Sequence, residues 1–228
     1  MKRLAAITLC AATAFAGTAS IVASWPSPCS AQVYGIDYYG NYLYHADNGV
    51  YIYKTDTTGS LVDRLRMPIV STDIDRIDSG FWTCNYSGYI YHLTTTGSIF
   101  KYFPAPSKRG YGITYDGYYL WYSDGIYIYK LTNTGSVIKS FKPLTADVAG
   151  VCSNLPYLWL AGYSAYNVYQ LTQNGSIADS FAINQKAMGI AWDDSYVWYA
   201  GEEWVYKMKP NFTSIAPASL GRVKALYR

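Results

Sequence analysis

The sequence repeats one unit five times, with a period of 38 to 40 residues. A turn marks each unit, and its copies are Gly59-Ser60, Gly97-Ser98, Gly135-Ser136, Gly175-Ser176 and the degenerate Thr213-Ser214. An apolar-aromatic pair keeps the same register, as Leu43-Tyr44, Phe81-Trp82, Leu120-Trp121, Leu158-Trp159 and Val197-Trp198. Internal repetition of this length is typical of solenoids and propellers, in which each unit is one small supersecondary structure.

Each unit contains four short runs of β-branched and aromatic residues, separated by turn residues. In the third unit the runs are Gly112–Tyr115, Tyr119–Ser123, Tyr127–Leu131 and Val137–Phe141. Asp-Gly pairs between runs are strong hairpin signals, because Gly tolerates positive φ and Asp hydrogen-bonds its neighbouring backbone. No segment shows a convincing helical period. The unit is therefore predicted to be a four-stranded antiparallel meander.

Such a sheet needs a neighbour on both of its faces. Leu120, Trp121 and Tyr122 are consecutive, and successive residues of a strand point to opposite faces. A ring of blades covers every face, and four-stranded units favour it over a linear solenoid. We predict an all-β fold, a five-bladed β-propeller of four-stranded antiparallel blades over residues 32–221. The blades are predicted at about 33–68, 69–106, 107–144, 145–184 and 185–221.

The units share the pattern G-[IV]-x-[YW]-D-G-x-x-L-W-x-x-D followed by I-Y-K-L-x-x-x-G-S-V, best kept in units one, three and five. The pattern resembles the repeats of secreted bacterial propellers, the broad group of NHL-type and glutaminyl-cyclase-like propellers. The resemblance covers nearly the whole chain after its first 31 residues. It implies the fold, because the shared columns are packing residues, and it implies little about function.

The first 31 residues read as a signal peptide. Met1-Lys2-Arg3 precedes a long apolar run of small residues, and Cys29-Ser30-Ala31 offers small side chains for a cut after Ala31. A retained membrane anchor is the alternative for this run. We therefore expect a secreted protein, extracellular or periplasmic, with no membrane span in the mature chain. No N-terminal strand is expected to complete the last blade, and the tail at 222–228 is an added strand, a site of self-association or a docked terminus.

Charge argues against binding to nucleic acid, and the positions of the cysteines argue against a disulfide or a metal site. Without Lys2 and Arg3 the chain has 16 basic and 15 acidic residues, which is no footprint for nucleic acid. Cys84 and Cys152 fall in non-adjacent units, so they are expected to be small buried hydrophobic residues. We predict neither a disulfide nor a metal site from them.

An enzyme should carry catalytic polar residues that interrupt the repeat pattern, and the sequence has few such residues. His45 and His92 lie in different units, with no carboxylate placed beside either. A glutaminyl-cyclase-like activity would imply a glutamate on an early blade, but no Glu precedes Glu202. Aspartates spaced by the repeat, such as Asp47 and Asp124, fit tight turns better than a calcium loop. We therefore predict no catalytic residue, no metal and no cofactor.

The loops that gather on one face of a propeller are the candidate binding site. They join the fourth strand of a blade to the next blade, and the second strand to the third. They supply aromatic planes beside charges, which suit a sugar or an extended peptide. The predicted ligand-binding residues are Tyr86, Lys108, Arg109, Tyr111, Tyr163, Tyr166, Lys186, Glu202 and Glu203.

Three functions stay open at this point. The favoured prediction is a non-enzymatic protein that binds a glycan, a peptide or another protein outside the cytoplasm. The alternatives are a divergent propeller enzyme of cyclotransferase or lyase type, using an Asp or His45 near the axis, and a structural subunit of an extracellular assembly.

Overall fold

The computed structural model describes residues 17–29, 32–144 and 147–211, and every regular element in these ranges is a β-strand. The first ten strands are β1 (Thr18–Pro26), β2 (Gly35–Tyr39), β3 (Tyr42–Ala46), β4 (Tyr51–Asp56), β5 (Leu61–Arg66), β6 (Asp73–Ile77), β7 (Gly80–Cys84), β8 (Tyr89–Thr94), β9 (Ile99–Pro104) and β10 (Gly112–Tyr115). The others are β11 (Leu120–Ser123), β12 (Ile128–Leu131), β13 (Val137–Phe141), β14 (Val148–Asn154), β15 (Tyr157–Gly162), β16 (Asn167–Thr172), β17 (Ile177–Ala182), β18 (Gly189–Trp192), β19 (Val197–Ala200) and β20 (Trp204–Asn211).

The strands form five separate four-stranded antiparallel sheets. Four sheets are meanders of consecutive strands, β2–β5, β6–β9, β10–β13 and β14–β17. The innermost strands contact one another in order, β2 with β6, β6 with β10, β10 with β14, β14 with β18, and β18 with β2. This closed cycle makes the sheets the blades of a ring, which confirms the predicted five-bladed propeller.

The apolar side chains form five clusters, and each cluster lies between two neighbouring blades. Consecutive residues of β11 show how the blades share them. Leu120 and Tyr122 pack toward the second blade, whereas Trp121 between them packs toward the fourth. All three are fully buried. The density of aromatic residues therefore follows from sheets that have a core on both faces, since large rings fill the wedge between radially arranged blades.

Side chains of the innermost strands also tie one blade to the next by hydrogen bonds. Asp37 accepts from the backbone N–H of Arg76, and Asp75 accepts from that of Tyr115, both at 2.7 Å. These two aspartates hold equivalent positions in the first two blades. Buried polar groups must be paired to be tolerated. Here the pairing adds directional contacts between sheets that otherwise meet through apolar surface.

The Gly-Ser turns lie between the third and fourth strands of the first four blades. In the third blade Gly135 donates its N–H to the carbonyl of Thr132 at 3.0 Å and has a φ of +94°. The pairing of β12 with β13 shifts by one residue beside this turn. Glycine is needed here because a side chain at positive φ is strained.

The fifth blade is completed by a strand from the beginning of the chain. The strand order of this sheet is β1-β20-β19-β18, so β1 is the outermost strand and pairs antiparallel with β20. The expectation that no N-terminal strand would complete the last blade is therefore wrong. Thr18–Pro26 alternates half-buried and exposed residues, and this short apolar segment fits a sheet edge as well as a leader.

The removal of residues 1–31 stays a prediction, but a cut after Ala31 would take β1 away from the fifth blade. The degenerate turn Thr213-Ser214 and the tail at 222–228 lie outside the described residues.

Candidate functional site

A pocket of about 390 Å³ opens where the innermost strands of four blades begin. Tyr34, Tyr111, Ala149 and Met188 line it, and each residue directly precedes the first glycine of an innermost strand. Because these strands surround the axis, the pocket lies at the centre of the ring. Its walls come from the loops between β7 and β8, β9 and β10, β11 and β12, and β15 and β16.

Four tyrosines converge around this axial pocket. Tyr86 and Tyr111 meet edge to face, with ring centroids 5.2 Å apart, and Tyr34 and Tyr163 also line the pocket. Burial raises the pKa of Tyr86 above its usual value, and the neighbouring phenols of Tyr111, Tyr34 and Tyr163 raise it further. The phenol of Tyr86 therefore stays neutral over the physiological range, and the four side chains offer both ring faces and hydroxyl groups to a ligand.

One cation and two carboxylates accompany the tyrosines. Arg109 lines the pocket and is exposed to solvent. Asp124 accepts the backbone N–H groups of Ile126 and Tyr127 at 2.9 and 2.7 Å, so its turn fixes this carboxylate. Asp147 is exposed and accepts from the hydroxyl of Ser164 at 2.5 Å. The guanidinium and the carboxylates together can donate to and accept from a ligand that carries hydroxyl groups.

A charged ridge adjoins the axial pocket at Tyr163. The ammonium of Lys186 lies 4.8 Å from the centre of the Tyr163 ring and 3.6 Å from a carboxylate oxygen of Glu202. The pKa of Lys186 is raised, first by its hydrogen bond with Tyr163 and further by the charge of Glu202 and by Tyr166. The ridge of Tyr163, Tyr166, Lys186 and Glu202 therefore continues the pocket outward along one side.

The structure places the nine predicted site residues in three groups. Tyr86, Arg109, Tyr111 and Tyr163 line the axial pocket. Tyr166, Lys186 and Glu202 form the ridge beside it. Lys108 and Glu203 lie on neighbouring loops and do not line the pocket. Lys108 packs against Gly88, and the carbonyl of Glu203 accepts the backbone N–H of Ser27 at 2.7 Å.

The sequence prediction missed Tyr34 and Asp147 as pocket residues. Tyr34 directly precedes the first strand of the first blade. It occupies the same repeat position as the predicted Tyr111, so alignment of the units was a signal that could have found it. Asp147 belongs to the irregular connection between the third and fourth units, for which the repeat offers no reference.

A buried carboxylate begins the innermost strand of the second blade, at the repeat position that follows the pocket residues of the other four blades. This residue, Asp73, is 2% exposed. It accepts the backbone N–H of Ile113 at 2.7 Å. Burial raises the pKa of Asp73 well above its usual value, and the charges of Asp37 and Asp75 act in the same direction. The other four blades have glycine at this position, which was a further signal in the sequence (Gly35, Gly112, Gly150 and Gly189).

Neither of the two histidines lines the axial pocket. His45 is fully buried, its Nε2 lies 2.9 Å from the hydroxyl of Thr55, and burial lowers its pKa to about 3. His92 stacks on Trp82 with ring centroids 4.5 Å apart, and burial lowers its pKa, with a smaller effect of Lys101.

His92 lines a second cavity, of about 590 Å³, between the second and third blades. Arg76, Asp78 and Tyr118 also line it, and the turns that contribute lie on the rim opposite the axial pocket. The Nδ1 atom of His92 is buried without a hydrogen-bond partner among the described residues. The cavity is larger than the axial pocket, but it gathers none of the predicted ligand-binding residues.

The described residues contain neither a metal-binding cluster nor a helix that could span a membrane. No group of three or more His, Cys, Asp or Glu side chains is placed to hold a metal ion within these residues. None of these residues belongs to a helix with the length and hydropathy of a membrane span. The described cysteines are Cys29, Cys84 and Cys152, and no disulfide joins any two of them.

Comparison with known proteins supports the fold. The chain is similar to the solved structure of glutaminyl cyclase from Myxococcus xanthus, at 10% identity and a TM-score of 0.75, over 88% of this chain and 100% of that one. It also resembles Raptor from Chaetomium thermophilum, at 9% identity and a TM-score of 0.50, over 78% of this chain and 20% of that one. The predicted resemblance to glutaminyl-cyclase-like propellers is thus confirmed for the fold. It is confirmed for the fold alone, because such low identity does not transfer function. The sequence matches no protein-family model, and no curated protein matches it.

Proposed function

We propose that the protein binds a carbohydrate through the axial pocket, outside the cytoplasm. The observation that carries this proposal is the convergence of four tyrosines, one arginine and two aspartates around a single opening. Sugars present an apolar ring face together with hydroxyl groups that both donate and accept hydrogen bonds. The ring stacks on aromatic side chains, and the hydroxyl groups pair with a few fixed polar groups.

The size and polarity of the pocket agree with this ligand class. Its volume lies at the lower end of the usual range for small-molecule sites, roughly 300–1,000 Å³. Asp124 and Asp147 accept from sugar hydroxyls, and Arg109 donates to them. The ring planes of Tyr86 and Tyr111 meet at 68°, so the pair offers one ring face and one ring edge.

The ridge indicates a ligand longer than one sugar unit. Lys186 and Glu202 stand beside Tyr163, which belongs to the pocket wall. A chain that fills the pocket and leaves along this side would stack on Tyr163 or Tyr166 and pair with the two charges. We therefore favour an oligosaccharide over a monosaccharide.

A glycan array probed with the purified protein tests the proposal. We expect binding that weakens at least tenfold in Tyr86→Ala and in Arg109→Ala. Tyr118→Ala is the matched control, because Tyr118 is 54% exposed on the opposite rim and should leave binding unchanged. An empty array, or equal losses in Tyr86→Ala and Tyr118→Ala, would overturn the proposal. If no glycan binds and the protein instead binds members of a peptide library, the ligand would be a peptide and not a sugar.

A second candidate function is an enzyme that works at the same pocket. Asp73 favours it, because a buried carboxyl with a raised pKa close to a cleft is a common property of catalytic acids and bases. The fold is also like that of a glutaminyl cyclase. For this chain, we would test the release of ammonia from a peptide with an N-terminal glutamine by mass spectrometry. Activity in the wild type that is lost in Asp73→Asn would support the enzyme, and no conversion by the wild type would reject this reaction.

A further inference from the structure

The N-terminal end of the described chain is held by a buried carboxylate. The backbone N–H of Gly17 donates to Oδ1 of Asp179 at 3.0 Å, and Asp179 is 2% exposed on β17 of the fourth blade. Gly17 directly precedes β1, so this bond anchors the start of the strand that completes the fifth blade. Burial of a carboxylate is costly unless charge or hydrogen bonds compensate it.

Glycine allows the close approach of the backbone to Asp179 at this position. A Cβ atom built on Gly17 would lie 2.7 Å from Oδ1 of Asp179, which is closer than real Cβ atoms come to such a neighbour. Any side chain would push the carboxylate away from the backbone nitrogen. The close approach is therefore specific to Gly17.

The sequence before Gly17 has the three parts of a short leader. Met1-Lys2-Arg3 is basic, residues 4–13 are apolar and small, and Ala14-Phe15-Ala16 has small residues at both positions that signal peptidase reads. A cut after Ala16 would therefore follow a small-x-small motif. The interpretation that places the cut after Ala31 includes β1 in the leader.

We propose that signal peptidase hydrolyses the Ala16–Gly17 bond, so that the mature chain begins at Gly17 and keeps β1. Water adds across this peptide bond and leaves a carboxylate on Ala16 and an α-ammonium on Gly17. The nitrogen atom that becomes this ammonium lies 3.0 Å from Oδ1 of Asp179 in the structure. The cut thus turns a neutral donor into a charged one, and charge-assisted hydrogen bonds are the stronger kind.

The contacts of β1 argue against a cut after Ala31. β1 pairs with β20 over its whole length, from Thr18 opposite Asn211 to Pro26 opposite Trp204. The Trp25 ring meets the buried Trp198 ring edge to face at 5.6 Å. A cut after Ala31 would remove these contacts and leave β20 as an unpaired edge, which is a hazard for aggregation.

N-terminal sequencing and intact mass of the exported protein test the proposal. The full chain is expressed in a bacterial host and recovered from the periplasm or medium. We expect the mature chain to begin at Gly17. A chain that begins at Gln32, or one that keeps Met1, would overturn the proposal.

Two matched variants test the position of the cut. Ala16→Leu places a bulky residue just before the proposed bond, so we expect the uncut precursor to accumulate. Ala31→Leu makes the same change at the other site and should give a chain that still begins at Gly17. The reverse pattern, with a block only in Ala31→Leu, would overturn the proposal.

The proposed ion pair between the α-ammonium of Gly17 and Asp179 can be tested separately. In the mature protein Asp179→Asn should lower Tm at pH 7, and the loss should shrink as pH rises past the ordinary range of an α-amino group, roughly 7.7–8.0. The carboxylate raises the pKa of the amine, so the stabilisation is complete below that range and is lost as pH passes the folded-state value. A loss in Tm that is the same at pH 7 and pH 10 would mean that no ammonium pairs with Asp179. None of these tests depends on the ligand of the axial pocket.

Discussion

The indole N–H of Trp198 donates a hydrogen bond to Oδ2 of Asp193 at 2.8 Å. The third blade repeats this relationship between Trp121 and Asp116, at the same distance. In both blades the other carboxylate oxygen accepts two backbone N–H groups of the turn between the first and second strands. One aspartate therefore shapes the turn and also satisfies the polar atom of a fully buried ring.

Trp198→Phe should lower the free energy of unfolding by about 1–3 kcal/mol. The change keeps an aromatic ring in the core but removes the donor, so Oδ2 of Asp193 loses a partner. Urea denaturation measures the loss. Trp204→Phe is the matched control, because Trp204 is 39% exposed and a surface change usually shifts stability by less than about 0.5 kcal/mol. Equal losses in the two variants would contradict the role of the bond.

Gly59→Ala should destabilise the protein more than Gly40→Ala. Both glycines have positive φ, +91° and +60°, where a side chain costs about 1–2 kcal/mol. A Cβ atom on Gly59 would also lie 2.2 Å from Cδ1 of Trp25, whereas nothing lies within 4 Å of one on Gly40. Thermal unfolding of both variants isolates the contact between β1 and the turn of the first blade. A smaller loss in Gly59→Ala would show that Trp25 does not pack there.

Stability should fall as pH decreases below the ordinary pKa of histidine, because His45 is buried in its neutral form. Its pKa is about 3 in the folded protein and about 6.5 when exposed, so between these values the unfolded chain binds a proton that the folded chain does not. Within this window the equilibrium constant for unfolding should rise by up to about tenfold for each unit by which the pH falls. His45→Gln should flatten this part of the stability profile. An unchanged slope in the variant would contradict the prediction.

Asp73 should act in the opposite direction. Its pKa is raised in the folded protein, so the folded chain keeps a proton that the unfolded chain loses above about pH 3.9. The contribution of Asp73 to stability therefore falls as pH rises through the window between the two pKa values. Asp73→Asn should gain stability relative to the wild type as pH rises from 4 to 7, in urea titrations at several pH values.

Asp75→Asn is the control for this prediction. It removes a carboxylate from the same strand that makes the same kind of backbone hydrogen bond, to Tyr115 at 2.7 Å. A similar gain in both variants would trace the effect to the negative charge of the strand in general and not to the burial of Asp73.

The blades could be predicted from the sequence because each unit of the repeat can be checked against the other four. An apolar-aromatic pair such as Leu120-Trp121 recurs in every unit, so alternation between two faces could be inferred before any fold was considered. The loop residues followed from the same register, because antiparallel meanders bring alternate loops to one rim. Tyr86, Arg109, Tyr111 and Tyr163 meet in space for this reason.

The rest of the candidate site depends on positions where the repeat gives no guidance. Asp147 lies in an irregular connection, so only the packing of the third blade against the fourth brings it to the pocket. β1 was missed for a different reason, since small and β-branched residues suit both an exported leader and an edge strand. Local composition alone could not separate these two uses of Thr18–Pro26.

The pairing of β1 with β20 joins the earliest and the latest parts of the described chain in one sheet. The first four blades are each built from one continuous segment, whereas the fifth needs segments that are almost two hundred residues apart. A product truncated before Trp204 would therefore leave β1 without the strand with which it pairs. Completion of the fifth blade thus depends on both ends of the described chain.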